Sequence, residues 1–316
     1  MHESNQRKQL ILTANKHVII NKQMKPLRFL YISLFLSLSF VVNAQFRYGI
    51  QLPSIPSELR QPEERATFLA IHFWDNVDFG KEGFAGNKAM IDHNFADYLT
   101  LYPILSDEGR KKAVDAIIGK TTDNKEAYLY IVEMAEKYLF EPQSPVFDDL
   151  YYAIFLENIL NDSILTDAEK TRPRFLLEDI MKNLPGNVAT DFEFELLSGE
   201  KSALSLTGSD GDILLIFFDP DCDHCRQVID ELQSNHFISE KIKKEGITVV
   251  AIYSGDEKDV WEAYSASLPS NWIVGYEPGE IFEEALYSIR SFPTLYVLDK
   301  DHKVKARNIN LSYFED

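Results

Sequence analysis

One stretch restricts the fold more than any other: the apolar run Ile213-Leu214-Leu215-Ile216-Phe217-Phe218, then Asp219-Pro220-Asp221, then Cys222-Asp223-His224-Cys225. An unbroken apolar run predicts a strand buried on both faces, because a strand with one wet face alternates. The acidic turn and its proline end the strand. Cys225, Val228, Ile229 and Leu232 then recur at helical spacing, so the cysteines open an amphipathic helix. Strand, turn, Cys-x-x-Cys and helix in this order fit a redox dithiol. Cys222 and Cys225 are also the chain's two cysteines. A bridge between them closes so small a loop that it adds little stability, so chemistry explains the pair better than bracing does.

The flanks of the motif extend the pattern. Phe192-Glu193-Phe194-Glu195 alternates as a half-buried strand does, and Ser198-Gly199-Glu200 makes a turn. After the cysteine helix come a helical piece at 237–244, the strand 247–253, a helix near 256–266, a short strand around Ile273, a helix near 278–287, the strand 295–298, and a last strand over 304–309. Alternating strands and helices with buried runs predict an α/β domain, a mixed central sheet with helices on both faces, over residues 188–316. The chain offers little beyond Tyr313-Phe314-Glu315-Asp316 for a closing helix, which suggests a sheet face left for the preceding domain to cover.

Residues 45–187 read differently. After a proline-dotted leader over 46–58, helical periodicity begins at Glu63 and runs into Phe73-Trp74-Asp75. Ile91, Phe95, Tyr98, Leu99 and Tyr102 share one helix face. Ser106 reads as an N-cap with Gly119 beyond the end, and a further helix covers 125–140. Phe147, Leu150, Tyr151 and Ile154 share another face, and a final helix over 167–183 is divided or restarted by Pro173. Helices without strands predict an α-helical N-terminal domain, separated from the next at Leu184-Pro185-Gly186-Asn187. His72, His93 and the Trp74 cluster invite a ligand reading, but aromatics at helix ends are usually core.

Lys25 and Arg28 precede the apolar stretch Phe29–Val42 and the small-residue ending Val42-Asn43-Ala44. This predicts a signal peptide over residues 1–44, cleaved after Ala44, and an exported, periplasmic protein. The apolar run falls short of the roughly 20 residues that span a bilayer, so no membrane anchor is expected after cleavage. Met24 stands where such a peptide would begin, making residues 1–23 a candidate upstream mis-start. The chain's net charge is −18; residues 1–44 hold six Lys/Arg and one Asp/Glu, so the remainder carries 26 basic against 49 acidic side chains, near −23. Nucleic-acid partners are excluded on this ground, since they require cationic neutralisation of phosphates.

In the order of its elements, the second domain resembles the thioredoxin fold, and more closely the TlpA/ResA-like branch of exported thiol-disulfide oxidoreductases, over about 188–309. The resemblance implies Cys222 as nucleophile, Cys225 as resolving thiol, and Pro293, 68 residues after Cys225 in Ser291-Phe292-Pro293-Thr294, as a cis-proline beside the pair. It implies protein thiols or disulfides as clients, an unidentified redox partner, and no cofactor or metal. Phe292, Pro220 and Asp221 are the expected client contacts, Phe292 because a residue before proline is held extended. Glu64–Phe79, with Glu-Arg-Ala and Phe-Trp-Asp-x-x-Asp-Phe, resembles a helical domain of unknown function that precedes such redox domains.

A thiolate at a helix start gains from free N–H groups and the helix dipole, and an imidazolium at His224 favours it further. Asp219, Asp221 and Asp223 oppose this. One carboxylate at about 7 Å and an effective dielectric near 40 contributes on the order of 1 kcal/mol, most of a pKa unit. The influences roughly cancel, which leaves reductase and oxidase both open. Two acids are absent: the thioredoxin aspartate position is Ile216, and the glutamate position of the exported reductases is Val228. Proton transfer then falls to His224, a nearby aspartate or water.

Zinc needs four converging ligands, and a helix start aims Cys, Asp and His side chains apart. A peroxidase of the peroxiredoxin type lacks its Thr-x-x-Cys. The remaining alternative is an envelope binding or assembly module, whose redox domain serves as a weak or regulatory switch.

Overall fold

The structure, a computed structural model, describes residues 46, 47 and 49–315. The signal-peptide segment, its cleavage point after Ala44 and the start at Met24 lie outside the described residues. Among the described residues, no helix is long and apolar enough to cross a membrane. Two compact units are formed, one ending at Ile180 and the other starting at Met181.

The expected extended leader begins as a short antiparallel pair, β1 (Phe46–Arg47) and β2 (Ile50–Gln51), turning at Gly49. Ile50 is buried in the helical core. The unit then consists of α1 (Pro62–His72), α2 (Lys81–Leu99), α3 (Asp107–Thr121), α4 (Lys125–Leu139), α5 (Asp149–Asn161) and α6 (Thr171–Ile180). Helix starts follow local chemistry: Ser106 Oγ accepts from Gly109 N at 3.3 Å, Asn124 Oδ1 from Glu126 N at 3.2 Å, and Asp148 Oδ1 from Tyr151 N at 3.3 Å.

Three details correct the sequence reading. Gly119 lies inside α3, because Thr121 and Thr122 hydroxyls bond Ile118 and Gly119 carbonyls and no left-handed glycine is needed. The last helix is 171–180, shorter than expected, and Pro173 sits in its first turn, where a missing N–H costs little. In α5 the deeply buried face is Tyr152, Ala153, Phe155, Leu156 and Ile159, not the half-buried Leu150, Tyr151 and Ile154; the helix is apolar nearly all round, so periodicity could not choose. Trp74 is core, ringed by Phe73, Phe79, Phe95 and Tyr98 at 5.0–6.3 Å, while His72 Nδ1 meets Asp75 Oδ2 at 2.7 Å.

The second unit contains β3 (Glu193–Leu196), β4 (Lys201–Ala203), β5 (Ile213–Phe217), α7 (Asp223–Ser234), α8 (His236–Lys244), β6 (Thr248–Ser254), α9 (Lys258–Ser265), β7 (Ile273–Glu277), α10 (Glu280–Glu283), β8 (Thr294–Leu298) and β9 (Val304–Arg307). Among the described residues these strands make one sheet in the order β4-β3-β7-β6-β5-β8-β9. β5, β6 and β7 run parallel and the other pairings are antiparallel, so the sheet is mixed. The expected helix over 278–287 shrinks to the single turn α10, since Ala285 takes a left-handed φ of +47° and stops it.

Period-2 alternation sorts β5 cleanly. Leu214, Ile216 and Phe218 pack with Cys225, Ile229, Leu232 and Trp261 on one face. Ile213, Leu215 and Phe217 pack with Phe192, Leu204, Ile281 and Tyr287 on the other. Phe314, in a 3₁₀ turn at Leu311–Glu315, joins the first cluster. Both faces thus gain cover from the unit's own chain. Leu204 and Tyr287 help fill the second face, Tyr287 from the end of the segment expected as a helix and Leu204 from a stretch with no periodic signal.

Candidate redox site

The end of β5 builds the site. Asp219 Oδ1 accepts from Asp221 N at 2.8 Å, and Asp219 O accepts from Cys222 N at 3.2 Å, so the chain turns once before α7 begins. Cys222 thereby occupies the N-cap of α7, the place usually held by an oxygen-bearing side chain. Its Sγ accepts from Cys225 N at 3.3 Å. It is half-buried, with Phe292 O 3.7 Å away, and the Phe292–Pro293 peptide is cis. β8 starts at Thr294 beside β5, which brings this loop against the cysteine turn.

Cys225 lies one turn further, fully buried, with its Sγ 3.5 Å from the donating Asp219 N. Burial pushes its thiol up to about 12. The Asp219 amide acts in the opposite direction, while the neighbouring Cys222 and the Asp219 charge add to the rise. Ile216 and Val228 both pack in the apolar cluster around Cys225, so neither supplies a carboxylate there.

Of the other expected residues, His224 and Asp221 are exposed, Phe292 and Pro293 half-buried, and Pro220 buried. Pro220 O accepts from Arg226 Nη1. The same guanidinium reaches Asp221 O at 3.4 Å and Asp223 Oδ1 at 2.7 Å, clamping the turn from Pro220 to Asp223. Sequence reasoning missed Arg226. Its place three residues after Asp223 is a signal for an ion pair, but nothing in that spacing announces the carbonyl contacts. Among the described residues, no three His, Cys, Asp or Glu side chains converge as metal ligands would.

Residues 4–183 match the model of a Domain of unknown function (DUF5106), and residues 201–308 match that of a Thioredoxin-like domain. A crystallised thioredoxin-like protein from Bacteroides caccae is 32% identical over 84% of this chain and 96% of its own, with a TM-score of 0.79. The chain belongs to the thioredoxin-like proteins. Its helical unit falls within the DUF5106 match, the domain of unknown function expected before such a fold.

Two further solved structures align with less of this thioredoxin-like chain. One is the C-terminal domain of an uncharacterized Bacteroides fragilis protein, 30% identical, covering 42% of this chain and 95% of its own, with a TM-score of 0.40. The other is a domain of a possible thiol-disulfide isomerase from Cytophaga hutchinsonii, 24% identical, covering 43% and 91%, with a TM-score of 0.38. No curated protein matches.

Proposed function

We propose that this thioredoxin-like protein exchanges disulfides with protein clients in the cell envelope. One observation carries the reading: a half-buried Cys222 Sγ at a helix start, accepting the Cys225 amide, with a buried Cys225 one turn behind it. In the reducing direction, the Cys222 thiolate attacks one sulfur of a client disulfide. The client S–S bond breaks, a Cys222–client disulfide forms, and the other client sulfur leaves as a thiolate that takes up a proton. Cys225 then loses its proton and attacks Cys222 Sγ, expelling the second client thiolate, which is protonated in turn. The client gains two electrons and two protons, and the protein ends with a Cys222–Cys225 disulfide. In the oxidising direction the same bonds form and break in reverse, and a dithiol or disulfide partner resets the pair.

Export is supported by Lys25, Arg28, the apolar stretch 29–42 and the small-residue ending at Ala44. The helical unit serves to dock clients or the redox partner. Its Trp74 and Tyr98 are spent on its own core, so docking belongs to its exposed surface.

The test is the Cys225→Ser variant purified from its native envelope. Trapped mixed disulfides through Cys222 with a small set of proteins are expected. Their absence across oxidising and reducing conditions would overturn the reading, and a mature N-terminus other than Gln45 would count against cleavage after Ala44.

A further inference from the structure

Phe282 is a large aromatic left 44% exposed on α10, while its neighbour Ile281 is fully buried. The turn that carries it is fixed from three sides. Gly279 enters with φ +108°, a conformation side-chain-bearing residues resist. Buried Glu277 accepts from Glu280 N at 2.6 Å and Ile281 N at 3.2 Å, and holds Ser254 Oγ as well. Leu286 N closes the far end on Ile281 O at 2.9 Å.

Phe282 is therefore presented to solvent by a held backbone. Its ring meets that of Phe292 edge-on, with centroids 5.9 Å apart at 85°. Phe292 in turn offers its carbonyl 3.7 Å from Cys222 Sγ. An aromatic surface thus starts beside the nucleophile and runs outward to Phe282. Exposed carboxylates lie close in the chain, Asp221 next to Cys222 and Glu280, Glu283 and Glu284 on and after α10 around Phe282, in a chain of net charge −18.

We propose that Phe282 and Phe292 form a shelf that selects client cysteines accompanied by a bulky apolar side chain and a neighbouring Lys or Arg. This rests on the thiol-disulfide reading above and names the client class of that site. In an extended client, residues two apart lie on one face about 7 Å from each other, so the selected side chain sits two residues from the cysteine. Aromatic contact and desolvation reward that side chain, and the carboxylates attract the flanking cation.

The test uses the full chain carrying Cys225→Ser and single-cysteine peptides activated as thionitrobenzoate disulfides, with peptide–Cys222 adducts followed by mass spectrometry. A peptide with Phe two residues from its cysteine and a flanking Lys should react about tenfold faster than one with Gly and Glu at those places. That ratio should fall several-fold with Phe282→Ser, the part due to the flanking charge remaining, and persist with Phe282→Tyr. Equal rates for both peptides would overturn the shelf and leave the redox reading intact. Selectivity unaltered by Phe282→Ser would also overturn it. Failure to form an adduct with either peptide or with a small aromatic disulfide would remove the redox reading and the shelf together.

Discussion

Burial holds the Cys225 thiol near a pKa of about 12, while the Asp219 amide donates to its sulfur and works the other way. The Asp219 carboxylate adds to the rise, so removing its charge should make the thiolate easier to form. Asp219→Asn keeps an oxygen for the Asp221 amide and should lower the Cys225 pKa. The pH dependence of alkylation in a Cys222→Ser background checks this; an unchanged or higher pKa would refute it. Which residues meet was partly legible in the sequence. Cys222 and Cys225 are fixed by a local motif, and Phe292-Pro293 could be placed against them because the resemblance to the thioredoxin fold puts a cis-proline beside the pair. Arg226 and Phe282 were not legible, since their partners, Pro220 and Asp221 carbonyls in one case and the Phe292 ring in the other, are set by three-dimensional approach.

At the level of elements, the turn before α7 depends on one side chain. Arg226→Ala should free the Pro220 and Asp221 carbonyls and raise amide exchange from 219 to 223, at a cost of about 1 kcal/mol read by urea unfolding. Arg226→Lys should not restore protection, because a single ammonium cannot span two carbonyls and the Asp223 carboxylate as a planar guanidinium does. In the helical unit, Ser106→Ala removes the acceptor for Gly109 N and should cost about 1 kcal/mol in the same measurement, with Ser106→Asp retaining most of it. β5 and α3 were readable because one signal dominates each, an unbroken apolar run and a capping serine. α10 was misjudged because a left-handed Ala285 ends it, and alanine carries no such signal in the sequence.

On the scale of the molecule, each unit owns an apolar core, one over the helices and two on the faces of the sheet. A fragment spanning residues 181–316 should therefore unfold cooperatively by itself, measured by circular dichroism in urea; a non-cooperative melt would contradict it. The helical unit should be alkali-sensitive. Burial raises Tyr98, Tyr102, Tyr128 and Tyr151 above the ordinary value of 10.0. The folded unit keeps these protons where the unfolded chain releases them, so stability is full below about pH 10 and declines as pH rises beyond it. Urea midpoints of the helical unit's transition across that range should fall. The depth of Cys225 also has a consequence in time. Burial keeps this thiol protonated at pH 7, so in the proposed exchange a client joined to Cys222 waits for its release on a rare proton loss. In the proposed exchange the covalent complex acquires a dwell time set by the depth of a single sulfur, and that lifetime should shorten as pH rises toward the thiol's pKa.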